Sequence, residues 1–169
     1  AENNMFIHYY SKKTPKLDYR ASGNQFVFQT GRVLEFYGTP FCHAPGSFVT
    51  YDTKTKTLFS SDLFGSYDAN WDFFVQLTPA CQDCVAQQTC PQTGKACPLY
   101  HIGEFQKRIM TSNRALNHAL DVLDPIDIEC IAPQHGGILR GKEDVKTALA
   151  YLRGIGDVGI EYYASENLL

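Results

Sequence analysis

The first third of the chain places apolar residues in short, strand-like runs; the remainder shifts to a helical spacing. Residues 25–29 and 32–37 are rich in β-branched and aromatic side chains on either side of Thr30-Gly31, which predicts two strands and a turn. Residues 48–52 and 57–61 repeat the pattern around a polar turn at 53–56, predicting a second hairpin. A loop containing Pro40, His43, Pro45 and Gly46 leads into that hairpin, and Asp62 closes it. From residue 104 the period changes. Phe105, Ile109, Leu116, Leu120 and Leu123 form an apolar stripe that predicts one amphipathic helix over 104–123, stopped at Asp124-Pro125. A buried strand over 126–132 and a second amphipathic helix over 142–152 follow. Met5, Phe6 and Tyr9 share one helical face, so residues 1–11 resemble the end of a helix. Residues 12–23 are polar and loop-like. Residues 66–79 hold Tyr67, Trp71, Phe73 and Phe74, expected in irregular, largely buried structure over the site. The glycine-containing stretch 153–169 suggests a tail or linker.

Composition narrows this picture. A chain of 169 residues, 44% hydrophobic and 13% aromatic, suits one folded domain with a real core. A net charge of -3 without a basic run gives no sign of nucleic-acid binding. No apolar run approaches the length of a membrane span, and no secretory signal is visible, so a cytoplasmic location is expected.

Three residues stand at loop or strand ends beside small or kinked neighbours: His43, Asp62 and His135. Two imidazoles and a carboxylate suit borderline cations such as iron or zinc, and the two oxygens of Asp62 suit it to bridging two metals. His8, His101 and His118 lack comparable settings. Six cysteines are more than an ordinary cytosolic chain carries, and four are bunched as Cys81, Cys84, Cys90 and Cys97. That C-x2-C-x5-C-x6-C spacing suits an iron–sulfur cluster of 4Fe–4S type or a zinc ion; disulfides or free thiols are the alternatives. Cys42 and Cys130 sit alone in apolar surroundings, where packing is the simpler role.

Thr39-Pro40-x-x-His43-x-Pro45-Gly46-Ser47, Leu58-Phe59-Ser60-Ser61-Asp62-Leu63-Phe64-Gly65 and Ile131-Ala132-Pro133-Gln134-His135-Gly136 resemble, in this order, the second half of the metallo-β-lactamase fold. They are most similar to the flavodiiron proteins and the related oxygen-binding diiron proteins. The resemblance spans residues 25–152. It implies an α+β, αββα sandwich, of which residues 1–152 are the C-terminal part, with residues 81–98 as a cysteine-rich insertion. It also implies a non-haem diiron domain that senses or reduces O2 or a related diatomic. His43 would ligate one iron, Asp62 would bridge both and His135 would ligate the second. The aromatic run 67–74 would wall off an oxygen pocket. The His-x-His/Glu-x-Asp-His motif that the first half of such folds supplies does not occur here. A preceding segment, a second polypeptide or homo-oligomeric association would have to complete the site, and no flavin-binding stretch is present. A zinc-dependent hydrolase of the same fold and a truncated, non-catalytic scaffold are the competing functions.

Overall fold

The computed structural model describes residue 13, residues 17–67 and residues 72–166. The helix expected over 1–11, and with it His8 and Trp71, lies outside the described residues.

Six strands form one mixed sheet in sequence order: β1 (Gln25–Val27), β2 (Val33–Gly38), β3 (Phe48–Asp52), β4 (Thr57–Ser61), β5 (Cys130–Pro133) and β6 (Leu139–Arg140). All neighbours are antiparallel except β4 and β5, which run parallel. Both predicted hairpins are present. The 73 residues separating Lys56 from Glu129 carry the crossover that a parallel pair requires. The strand expected over 126–132 is confined to β5, and Ile126 to Glu129 make turn contacts instead.

Four helices follow the hairpins: α1 (Pro98–Ile109), α2 (Asn113–Leu123), α3 (Lys142–Gly154) and α4 (Ile160–Ser165). The single helix expected over 104–123 is therefore two. Met110 is extended, and the Ser112 side chain accepts a hydrogen bond from the Ala115 amide at 3.2 Å, an N-cap that starts α2 afresh. The apolar stripe survives this break because Ile109 packs against the same core cluster that holds Leu116, Leu120 and Leu123. The stretch after Arg153, expected as a tail or linker, packs onto the domain. Val158 is buried, and Tyr162 of α4 hydrogen-bonds Glu104 of α1.

The sheet has two unlike faces. Register places Tyr51, Leu58, Ile131 and Leu139 side by side, and all four are buried where α2 and α3 pack on the sheet. The alternate positions carry Phe26, Phe36, Phe48 and Phe59. Tyr19 joins this second face by stacking on Phe36 and Phe48. Phe26, Phe48 and Phe59 are exposed, and no helix of the described residues covers them. One layer of helices on one face of the sheet makes half of a four-layer sandwich.

At the base of β3, buried Asp52 accepts hydrogen bonds from both the Nε and Nη2 groups of Arg32 and from the Thr55 hydroxyl at 2.5 Å. This contact closes the β3–β4 turn. The Arg32 guanidinium holds the Asp52 carboxyl well below the usual carboxylate range.

Candidate metal centre

The loop before β3, the end of β4 and the end of β5 meet at one rim of the sheet. Parallel pairing of β4 with β5 sets their C-terminal ends side by side, the position where open sheets gather ligands. β3 runs antiparallel to β4, so the loop entering β3 arrives at the same rim.

His43 stands in a tightly bonded loop. The Thr39 amide donates to the Ser47 carbonyl at 2.9 Å, and the Phe41 amide donates to Ala44 at 2.8 Å. The Thr111 hydroxyl donates to the Phe41 carbonyl at 3.0 Å. Next to His43, the buried Cys42 points inward and donates its thiol to the Ala115 carbonyl at 3.4 Å. Burial pushes the Cys42 thiol up to about 12, so it anchors the loop as a neutral group.

Asp62 follows β4 in a turn held from within the core. The Ser60 hydroxyl donates to the Leu63 carbonyl at 2.5 Å, and the Gly65 amide donates to the Asp62 carbonyl at 3.0 Å. Gln106 of α1, fully buried, donates its side-chain amide to the carbonyls of Asp62 and Gly65 at 3.0 and 3.2 Å. Gln106 escapes a search for ligand types. Its one sequence signal is a polar residue set among the buried apolar positions of α1.

His135 follows β5. The Gln134 amide donates to the Ser61 carbonyl at 2.8 Å, and the Ser66 amide donates to the His135 carbonyl at 3.2 Å. Gly136 has φ +90, and a Cβ there would lie 2.2 Å from the Ser66 hydroxyl oxygen. Glycine is required both for the backbone conformation and for this close approach. Tyr67 and Phe105 flank the His135 ring, with centroids at 5.7 and 6.1 Å.

The three predicted donors meet. Asp62 Oδ2 lies 2.7 Å from His43 Nε2, and Asp62 Oδ1 lies 3.5 Å from His135 Nε2. Each carboxylate oxygen thus faces a different imidazole. The Asp62 side chain is 16% exposed, while His43 and His135 are roughly half-exposed on the solvent side. Among the described residues, no three His, Cys, Asp or Glu side chains stand at the mutual distances of a closed ion site. By type the trio fits iron or zinc: two imidazole nitrogens and a carboxylate with one oxygen toward each ring.

The aromatic segment after Ser66 is irregular, as expected, but not buried: Tyr67 is 66% exposed and Phe73 63%. It is tied to the 138 region by the Val75 amide donating to Ile138 and the Ile138 amide donating to Phe73, both at 2.9 Å, so it lies along the rim rather than under the core.

The four bunched cysteines form a separate group, all as free thiols. Burial raises the Cys84 thiol, with the charges of Cys97, Cys90 and Cys81 adding to the effect. Cys90 is lowered, first by the Thr93 hydroxyl and then by the Gln92 and Thr93 amides that donate to its sulfur. His118 is exposed on α2, away from both groups. No described helix is long and apolar enough to cross a membrane.

The family model described as ODP family beta lactamase matches residues 1–136. A type A flavoprotein of Rhodobacter capsulatus is 32% identical over 124 residues, which cover 69% of this chain and 23% of that protein. The apo state of the chemotaxis sensor ODP from T. denticola superposes with TM-score 0.65 at 27% identity, covering 86% of this chain and 52% of the other. A peroxy diiron species of the chemotaxis sensor ODP gives TM-score 0.66 at 26% identity, covering 86% and 53%. The chain therefore spans about a quarter to a half of the length of these relatives. Its sheet and helices are those of a metallo-β-lactamase-like half-sandwich, and by the match over residues 1–136 the chain belongs to the ODP family of β-lactamase-fold proteins.

Proposed function

We propose that this chain is the C-terminal part of a non-haem diiron domain that binds O2 or a related diatomic. The observation that carries the proposal is the placement of Asp62, with one carboxylate oxygen toward His43 and the other toward His135. In this reading His43 serves one iron, His135 the other, and Asp62 both. Iron held by these residues would supply the redox chemistry for a diatomic ligand. The remaining ligands come from a segment or second chain outside this sequence, which would also cover the aromatic face of the sheet. Similarity to a chemotaxis sensor supports sensing as the role, and similarity to a type A flavoprotein supports a redox role in a longer assembly.

The protein's own residues have definite tasks. The anchored 39–47 loop and the Gln106 clamp hold His43 and Asp62 in register before any ion arrives, which lowers the ordering cost of binding. Tyr67 and Phe105 flank the His135 ring and orient it. The cysteine loop, as an iron–sulfur or zinc site, is a second metal-binding element in the same domain.

Anaerobic purification of the full-length protein, followed by metal analysis and optical titration with O2, tests this reading. Iron at the His43–Asp62–His135 centre and a spectral response to O2 are expected. Zinc without iron, silence toward O2 and turnover of ester substrates would replace it with the zinc hydrolase.

A further inference from the structure

The loop of residues 81–98 takes no part in the His43–Asp62–His135 group, and its chemistry is independent of what that group binds. Three of its cysteines occupy prepared positions around one cavity. Cys81 lies in a single helical turn, Pro79–Gln82, where its sulfur is 3.4 Å from the Thr78 amide and 3.5 Å from the Thr78 hydroxyl. Cys90 opens a tight turn, closed by its amide donating to Lys95 at 2.7 Å and by the Gly94 amide donating to Cys90 at 2.9 Å. Inside that turn, the amides of Gln92 and Thr93 and the Thr93 hydroxyl all point at the Cys90 sulfur. Cys97 is buried, caps the N-terminus of α1 and is tied back to the loop by its amide donating to Gln88 at 3.1 Å. Cys84 is half-buried, three residues after Cys81, and its thiol donates to the Val85 carbonyl at 3.6 Å.

All four loop cysteines are free thiols, and the turns at Thr78 and Cys90 fix the positions of two of them.

A single zinc ion, at Zn–S of about 2.3 Å, leaves no open space between the sulfurs drawn around it. Cys81, Cys90 and Cys97 instead line a shared cavity of about 550 Å³, room for a larger group. We infer that Cys81, Cys84, Cys90 and Cys97 are the ligands of an iron–sulfur cluster of 4Fe–4S type seated in this cavity. Ser66 and Gly137, which flank His135, form part of the cavity wall. The cluster would thus share a wall with the His43–Asp62–His135 centre.

The test is the count of acid-labile sulfide and iron in the full-length protein purified anaerobically, with EPR of the dithionite-reduced sample. About four sulfides per chain and a reduced-cluster EPR signal are expected. Cys84→Ser and Cys90→Ser should lose both, Cys130→Ser should keep both, and His135→Ala should keep the sulfide while losing iron from the other centre. The wild-type count stands whether or not the variants fold. No labile sulfide with one zinc or iron held by the loop, or two disulfides by thiol titration, would overturn the cluster. Sulfide retained in full by both loop variants would overturn it equally.

Discussion

Gln106, fully buried in α1, donates its side-chain amide to the main-chain carbonyl of Asp62 at 3.0 Å. The carboxylate of the candidate metal centre is thus positioned through its backbone by a residue 44 positions away, which also holds the Gly65 carbonyl. Gln106→Leu keeps the volume and removes both donations; the Asp62 carbonyl keeps its bond from the Gly65 amide, and the Gly65 carbonyl loses its side-chain donor. The expected cost is about 2 kcal/mol in chemical denaturation, since an unpaired buried acceptor costs ~1–3 kcal/mol. Metal content should fall as well. A variant with wild-type stability and full metal would show that the clamp is redundant.

Gly136→Ala should be far more harmful than Gly23→Ala. Both glycines have positive φ, +90 and +72, but an added Cβ meets Ser66 at 2.2 Å in the first case and nothing within 4 Å in the second. Strained backbone alone costs ~1–3 kcal/mol, and both variants bear that cost. Only Gly136→Ala must also displace Ser66 or His135. The pair of variants, compared by melting and metal content, separates the two effects.

His135→Ala should reduce iron content with little change in the thermal melt. The ring is roughly half-exposed and makes aromatic contacts rather than core packing. Unchanged metal stoichiometry would remove His135 from the centre.

Acid should weaken the fold through Asp52. Its carboxyl is held well below its ordinary value by Arg32, so the charged form is favoured in the folded state. That contribution is fully present above the unfolded value of about 4 and is lost as pH falls toward the lower folded value. Asp52→Asn should therefore melt lower than wild type at neutral pH, with the gap narrowing below pH ~4. A gap that is constant from pH 7 to 3 would refute the linkage.

Ser112→Ala should destabilise by about 1 kcal/mol, the usual loss for an N-cap, without altering metal content. A loss of metal would mean that the Met110–Ser112 break transmits to the Phe41 loop through Thr111.

How much of this was legible in the sequence follows from which interactions are local. Both hairpins follow from side-chain alternation and turn chemistry within a dozen residues, and they appear where those signals place them. The meeting of His43, Asp62 and His135 was legible because ordered motifs carry family information that periodicity does not. The break between α1 and α2 was not, because the apolar stripe continues through Met110 while a single serine hydroxyl resets the backbone. Gln106 was hidden for a related reason: its partners are main-chain carbonyls, which have no sequence signature. The exposure of Tyr67 and Phe73 was also missed, since aromatic content alone does not say which face a segment turns to the core.

The one parallel pairing in the sheet, β4 with β5, has a kinetic consequence. Asp62 and His135 become neighbours only after a loop of some seventy residues has closed, since partners Thr57 and Cys130 are that far apart in sequence. Contacts of such range form late and slowly relative to hairpins. The early hairpin pair can bring His43 to Asp62, but the three-donor geometry arrives only with the native topology. Metal loading should then track the last phase of refolding, and a peptide spanning residues 39–65 should not reproduce it.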